Sequence, residues 1–133
     1  MQYSFKKSEI LKGKKYFKYI YNEGKKLSGK KIQCFYIKKP RGEIKLKSQI
    51  QVGFKVSTKI KRAVERNRVK RLMRESYRLN KSIIVEHVKV TENSLHLIFS
   101  YLPKIQDFIQ TPKFYQIEQD IKTLLLTIIK QDL

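Results

Sequence analysis

Asn67, Lys70, Arg71, Arg74 and Arg78 occur in one short stretch of a chain with 31 basic and 11 acidic residues. Set on a helix that turns about 100° per residue, they fall within a single arc of about 100°. Guanidinium forks and an amide along one stiff edge suit one kind of chemistry, the holding of phosphate oxygens, which arginine grips in bidentate fashion. Val69, Leu72, Met73 and Ser76 fall on the opposite side of the wheel, with Ala63 and Tyr77 between. The segment reads as a packed helix that presents a cationic rail. Lys70–Arg74 and Arg74–Arg78 are like charges at i, i+4, and each such pair costs a helix about 0.2–0.5 kcal/mol. Only Glu65 and Glu75 offer local relief, so a polyanionic partner would supply the missing charge. Arg62 and Arg66 point nearer the apolar side and could reach a carboxylate, a helix cap or a nucleic acid.

Groups for covalent or metal chemistry are sparse. His87 and His96 have no metal-ligand spacing with each other or with Cys34. His96 interrupts an apolar run and reads as structural. The carboxylates are scattered, and Glu118 and Asp120, two apart on a helix, do not share a face. A two-metal nuclease would need them clustered. Cys34, the only cysteine, reads as a small buried hydrophobe in a strand and fits a reducing, cytoplasmic setting. No glycine-rich phosphate loop is present. The expectation is no catalytic residue, no metal site and no small-molecule cofactor within the chain.

The charge is segregated. Residues 1–83 hold 26 basic and 5 acidic groups, and residues 84–133 hold 5 and 6. Solubility needs no such asymmetry, whereas a nucleic-acid surface does. A membrane surface is disfavoured, because the apolar side of the rail is needed for a core. The apolar cluster at 124–129 is too short to span a bilayer, and residues 1–11 do not resemble a signal peptide.

The elements that must position the rail follow from periodicity. At 133 residues one domain is expected. Phe17, Ile20 and Tyr21 mark a first helix over 14–24, stopped by Gly24. Residues 31–39 read as a strand, 43–47 as an extension or a strand of their own, and 48–57 as a strand. In the last of these Ile50, Val52, Phe54 and Val56 alternate with Gln51, Gly53 and Lys55. The rail helix covers 62–79, and 82–88 either continues it or starts a short helix. An apolar strand at 94–102 lies inside the sheet, and a last helix after Pro112 carries Ile117, Ile121, Leu124, Leu125, Ile128 and Ile129. The order is α-β-β-β-α-β-α: an α+β sandwich of a small mixed β-sheet packed with three helices.

The string AVERNRVKRLMRE at 63–75 resembles the Arg-Asn-Arg signature of the bacterial ribonuclease P protein subunit, through Ala63, Arg66, Asn67, Lys70, Arg71 and Arg74. The preceding VGFKVSTK and the Phe17, Ile20, Tyr21, Gly24 pattern are similar to the same family, and the likeness covers roughly residues 11–78. Lys61 and Thr58 depart from the family's usual Gly and Lys at the turn into the helix. The resemblance implies a ribosomal-protein-like fold with a left-handed crossover, and catalysis by an RNA subunit with Mg²⁺ held mainly by that RNA. It implies that Arg62, Arg66, Asn67, Arg68, Lys70, Arg71, Arg74 and Arg78 bind the catalytic RNA. It also implies a cleft of Phe17, Tyr21, Phe35, Lys55 and Ser57 for the single-stranded 5′ leader of precursor tRNA. On residue type alone Phe17, Tyr21 and Phe35 fit a core as well, and Tyr16 and Tyr19, off the stripe, could stack too. The runner-up function is a ribosomal or ribosome-assembly RNA-binding protein with no part in cleavage.

Overall fold

A computed structural model of the chain describes residues 7–40, 49–89, 91, 93–101 and 112–132. Four strands, β1 (Lys25–Ser28), β2 (Ile32–Pro40), β3 (Ile50–Val56) and β4 (Asn93–Tyr101), form one sheet in the order β1-β2-β4-β3. β1 and β2, and β2 and β4, run antiparallel, whereas β3 and β4 are parallel, with Val52 opposite Leu97 and Phe54 opposite Phe99. Helices α1 (Lys14–Glu23), α2 (Ala63–Asn80), α3 (Ser82–Lys89) and α4 (Phe114–Asp132) complete the described chain. The α+β sandwich expected from the sequence is present, with one change. Residues 82–89 form a helix of their own, one of the two alternatives for that segment, so among the described residues there are four α-helices rather than three.

β4 explains the layering. It is one of the two inner strands, and it alternates between two cores although nearly every residue is buried. Leu95, Leu97, Phe99 and Tyr101 join α2, α3 and α4 in the main core, through Val69, Met73, Tyr77, Ile84, Val88, Ile121 and Leu125 among others. Ile98 faces the other way, into a smaller core with Leu11, Ile20 and Phe35 under α1. A strand covered on both faces reads as a continuous apolar run, and this one does apart from His96 and the serines. Cys34 lies in the main core, where burial pushes its thiol pKa up.

The ends of the elements have local causes. Gly24 closes α1 by donating its N–H to the Ile20 carbonyl at 2.8 Å, in an extended conformation. A Cβ there would lie 2.5 Å from that carbonyl oxygen and 2.9 Å from the Tyr36 carbonyl, so close approach, not handedness, requires glycine. β1 went unread in the sequence because Lys25-Lys26-Leu27-Ser28 has one apolar residue and exposes the rest. The alternative strand at 43–47 lies outside the described residues. The N-terminal segment covers the free edge of β3: Ile10 bridges Val52 in parallel, and the Leu11 N–H donates to the Val52 carbonyl at 3.0 Å. Glu9 anchors that segment to the buried Lys81 at the end of α2, with Nζ to Oε1 at 2.5 Å. Across the molecule, the Asp120 carboxylate of α4 accepts the backbone N–H groups of Lys30 (3.2 Å), Lys31 (2.5 Å) and Ile32 (2.9 Å) where β1 turns into β2.

His96 sits on the α1 side of β4, 3% exposed, and its Nδ1 hydrogen-bonds the Tyr16 hydroxyl. Desolvation first, and Lys39 second, lower its pKa from 6.5 to about 4. The folded chain thus keeps a neutral imidazole where the unfolded chain takes up a proton, and stability falls as pH drops from 6.5 towards 4. We expect a loss of about 1–2 kcal/mol from this group over that window. Urea melts at the two ends, compared with His96→Phe, isolate it: the variant's pH dependence is flatter by that amount.

Candidate nucleic-acid interface

α2 seats itself by Val69, Met73, Ser76 and Tyr77, all buried, while Leu72 is half-buried against the same core. Asn67, Arg71 and Arg74 stand exposed on the far side, as the wheel predicts. The remaining basic residues divide by what lies within reach. Arg66 folds back, its Nη1 donating to the Ile60 and Lys61 carbonyls at 2.7 and 2.8 Å, and so closes the loop that leads into the helix. Arg68 leans towards the Pro112 carbonyl, at 3.4 and 3.5 Å from its two terminal nitrogens, on the flank nearer α4. Arg78 pairs with Glu75 through Nε at 3.1 Å and Nη2 at 2.5 Å. That hydrogen bond holds the Glu75 carboxyl below the usual carboxylate range. Arg62 is exposed at the N-cap. The rail is therefore shorter than the sequence suggests: Asn67, Arg71 and Arg74 carry it, with Lys70 at its border.

Lys70 borders a cleft of about 770 Å³ between α1, the segment before it, and β3. Phe17 and Tyr21 of α1 and Lys55 of β3 line it, as expected. Gly53 makes the cleft possible: a Cβ at this position would lie 2.3 Å from Phe17 Cζ, so only glycine lets that ring lie on the strand. Tyr21 is held by its hydroxyl, which donates to Ser100 Oγ at 2.8 Å, and the Lys55 ammonium stands 4.6 Å from its ring centroid.

Two expected lining residues are elsewhere. Phe35 lies behind Tyr21, stacked at 4.0 Å and 24° and buried in the smaller core, so it backs the cleft without facing it. Ser57 is committed to the turn after β3, where its Oγ accepts the Lys59 N–H at 3.1 Å. The sequence reading missed Lys12, Lys14, Lys18 and Asn22, which complete the wall. A signal existed: Lys14, Lys18 and Asn22 repeat every four residues beside Phe17 and Tyr21. Among the described residues no carboxylate lines the cleft, so its charged side chains are all cationic. The basic residues also sort by kind, since six of the seven arginines fall between Arg62 and Arg78 and, among the described residues, the basic side chains of the cleft are all lysines.

Aromatic faces beside ammonium groups, next to a helix edge of guanidinium forks, define a class: an α+β protein that binds nucleic acid, with room for an unpaired strand. Comparison with known proteins narrows it. The family model described as Ribonuclease P matches residues 5–129. A ribonuclease P protein component of Chlorobium phaeobacteroides is 33% identical over 132 residues, 94% of this chain and 88% of that one. Another from Clostridium botulinum (strain Loch Maree / Type A3) is 43% identical over 75 residues, 56% of this chain and 61% of that one. The fold is shared with the RNase P protein from Thermotoga maritima (TM-score 0.69, 23% identity, 90% of this chain and 97% of that one). It is also shared with the Staphylococcus aureus RNase P protein (TM-score 0.65, 24% identity, 92% and 95%). The chain belongs to the ribonuclease P protein family and is the protein component of that tRNA-processing ribonucleoprotein endonuclease.

Proposed function

We propose that α2 grips the RNA component of ribonuclease P by its phosphates while the cleft takes the single-stranded 5′ leader of precursor tRNA. One observation supports this division most directly. Lys70 belongs to the rail helix and to the cleft wall at once, so a strand in the cleft is registered against RNA held by α2. Such a protein contributes positioning and binding energy, and the bond-breaking step stays with the RNA. Stacking on Phe17 and Tyr21 accommodates any leader sequence, because every base offers a π face. Among the described residues no group of three or more His, Cys, Asp or Glu side chains could hold a metal ion. In this proposal Mg²⁺ is held mainly by the RNA component. Among the same residues no helix is long and apolar enough to cross a membrane. The proposed setting is cytoplasmic, in keeping with a lone buried cysteine.

The test is reconstitution with a cognate RNA component at low Mg²⁺. The chain should raise cleavage of precursor tRNA, and Gly53→Ala should weaken binding of a precursor with a full leader by about three- to tenfold. A precursor with its leader trimmed to one nucleotide should be nearly indifferent to the same change. Equal losses on both substrates would remove the leader from the cleft.

A further inference from the structure

We propose that the flank of α1 facing β2 is a second stacking site for an unpaired RNA base, built on Tyr19 and Lys39. This rests on the reading that the chain binds RNA, but not on the leader as the occupant of the cleft. Neither residue lines the cleft. Phe17 and Tyr21 look towards it, whereas Tyr16 and Tyr19 meet Lys39 at the far end of β2. The two tyrosine rings lie 14° from parallel with centroids 6.1 Å apart, and Tyr19 is 45% exposed. The Lys39 ammonium stands 5.3 Å from one centroid and 5.2 Å from the other.

The platform is anchored from beneath. His96, edge-on to Tyr16 at 5.3 Å and 83°, hydrogen-bonds its hydroxyl. The other ring nitrogen of His96, Nε2, is buried with no hydrogen-bond partner among the described residues. A strand facing a plain apolar core has no use for an imidazole kept neutral at that cost, whereas one that must fix Tyr16, and through it Tyr19, does. Rings fixed in advance lose little freedom when a ligand arrives. The surrounding charge selects the ligand: nine lysines and a single carboxylate, Glu23, lie between Lys14 and Lys39. A nucleotide answers both features, its base on the exposed tyrosine and its phosphate beside the ammonium. An anionic lipid surface would need an apolar flank to insert, and Tyr19 is the one large apolar side chain that α1 exposes.

The chain has no tryptophan, so Tyr19→Trp provides a single fluorophore on the platform, and Asn22→Trp, at an exposed position, provides one on the cleft wall. Each full-length variant is titrated with a short uridine oligomer, its fold verified by circular dichroism. The Tyr19→Trp signal should be quenched saturably, and adding Lys39→Gln should weaken that binding about five- to tenfold. The Asn22→Trp titration should not respond to Lys39→Gln. Quenching on the cleft wall alone would overturn the second site and leave RNA binding intact. Quenching on neither would take down both readings. An equal response to inorganic polyphosphate would reduce the contact to charge and overturn the stacking, and an equal response to polyglutamate would assign the patch to an acidic protein.

Discussion

With Arg71 and Arg74 both changed to alanine, affinity for the RNA component should fall about 30- to 100-fold at low salt, with the fold retained. Two charge-assisted contacts to phosphate are removed, worth about 2–3 kcal/mol together at an exposed site. Each phosphate neutralised releases counterions, so the slope of log K against log salt should become shallower by about 2. Both side chains are exposed, and Arg74 repels Lys70 one turn away, so thermal stability should stay level or rise slightly. Filter binding over a salt series measures affinity and slope together. An unchanged slope would mean that this edge of α2 touches no phosphate. Arg78→Ala makes the internal comparison. Because Glu75 already neutralises Arg78, the loss should be several times smaller. Arg66→Ala should act mainly on stability, because its guanidinium closes the loop before α2.

Asp120→Ala should destabilise the chain by about 3–4 kcal/mol, a large share of what a domain of this size has to lose. The carboxylate is 6% exposed and is the shared acceptor of three consecutive backbone N–H groups. Truncation leaves those donors facing a void that water fills poorly. Gly29 shows how closely the turn is moulded, since a Cβ there would sit 2.9 Å from the carboxyl carbon. Asp120→Asn keeps one acceptor but turns an N–H₂ towards donors, and should recover about half of the loss. Urea unfolding at constant m-value reads both. An asparagine variant as stable as the parent would show that the charge is immaterial and only shape counts. Because Asp120 ties α4 to the turn between β1 and β2, the loss should appear in global unfolding and not as local fraying.

What could be read from the sequence was whatever depends on direction alone. Period two in β3 and the opposed faces of α2 follow from backbone geometry, and the structure places Val52, Val56, Val69 and Met73 inside as that geometry requires. What could not be read depends on reach. A wheel gives the angle at which Arg66, Arg68 and Arg78 leave the helix, but not that each finds a carbonyl or carboxylate within a side chain's length. Phe35 and Tyr21 were equivalent as types, and the sheet places one in front of the other. Asp120 looked like one of several scattered acids, because its partners lie about 90 residues earlier and are main-chain groups. β1 forms because β2 and Asp120 hold it in place, with almost no pattern of its own.

The concentration of arginine on α2, which holds five of the seven, makes the two grips chemically separable. An amine-selective reagent such as an acetylating anhydride would silence the cleft lysines and Lys39 while sparing Arg71 and Arg74. A chain so treated should still assemble with its RNA partner but handle precursor poorly, whereas a dicarbonyl that caps guanidinium would do the reverse. Assembly and substrate capture could then be titrated apart in one folded molecule, without a single mutation.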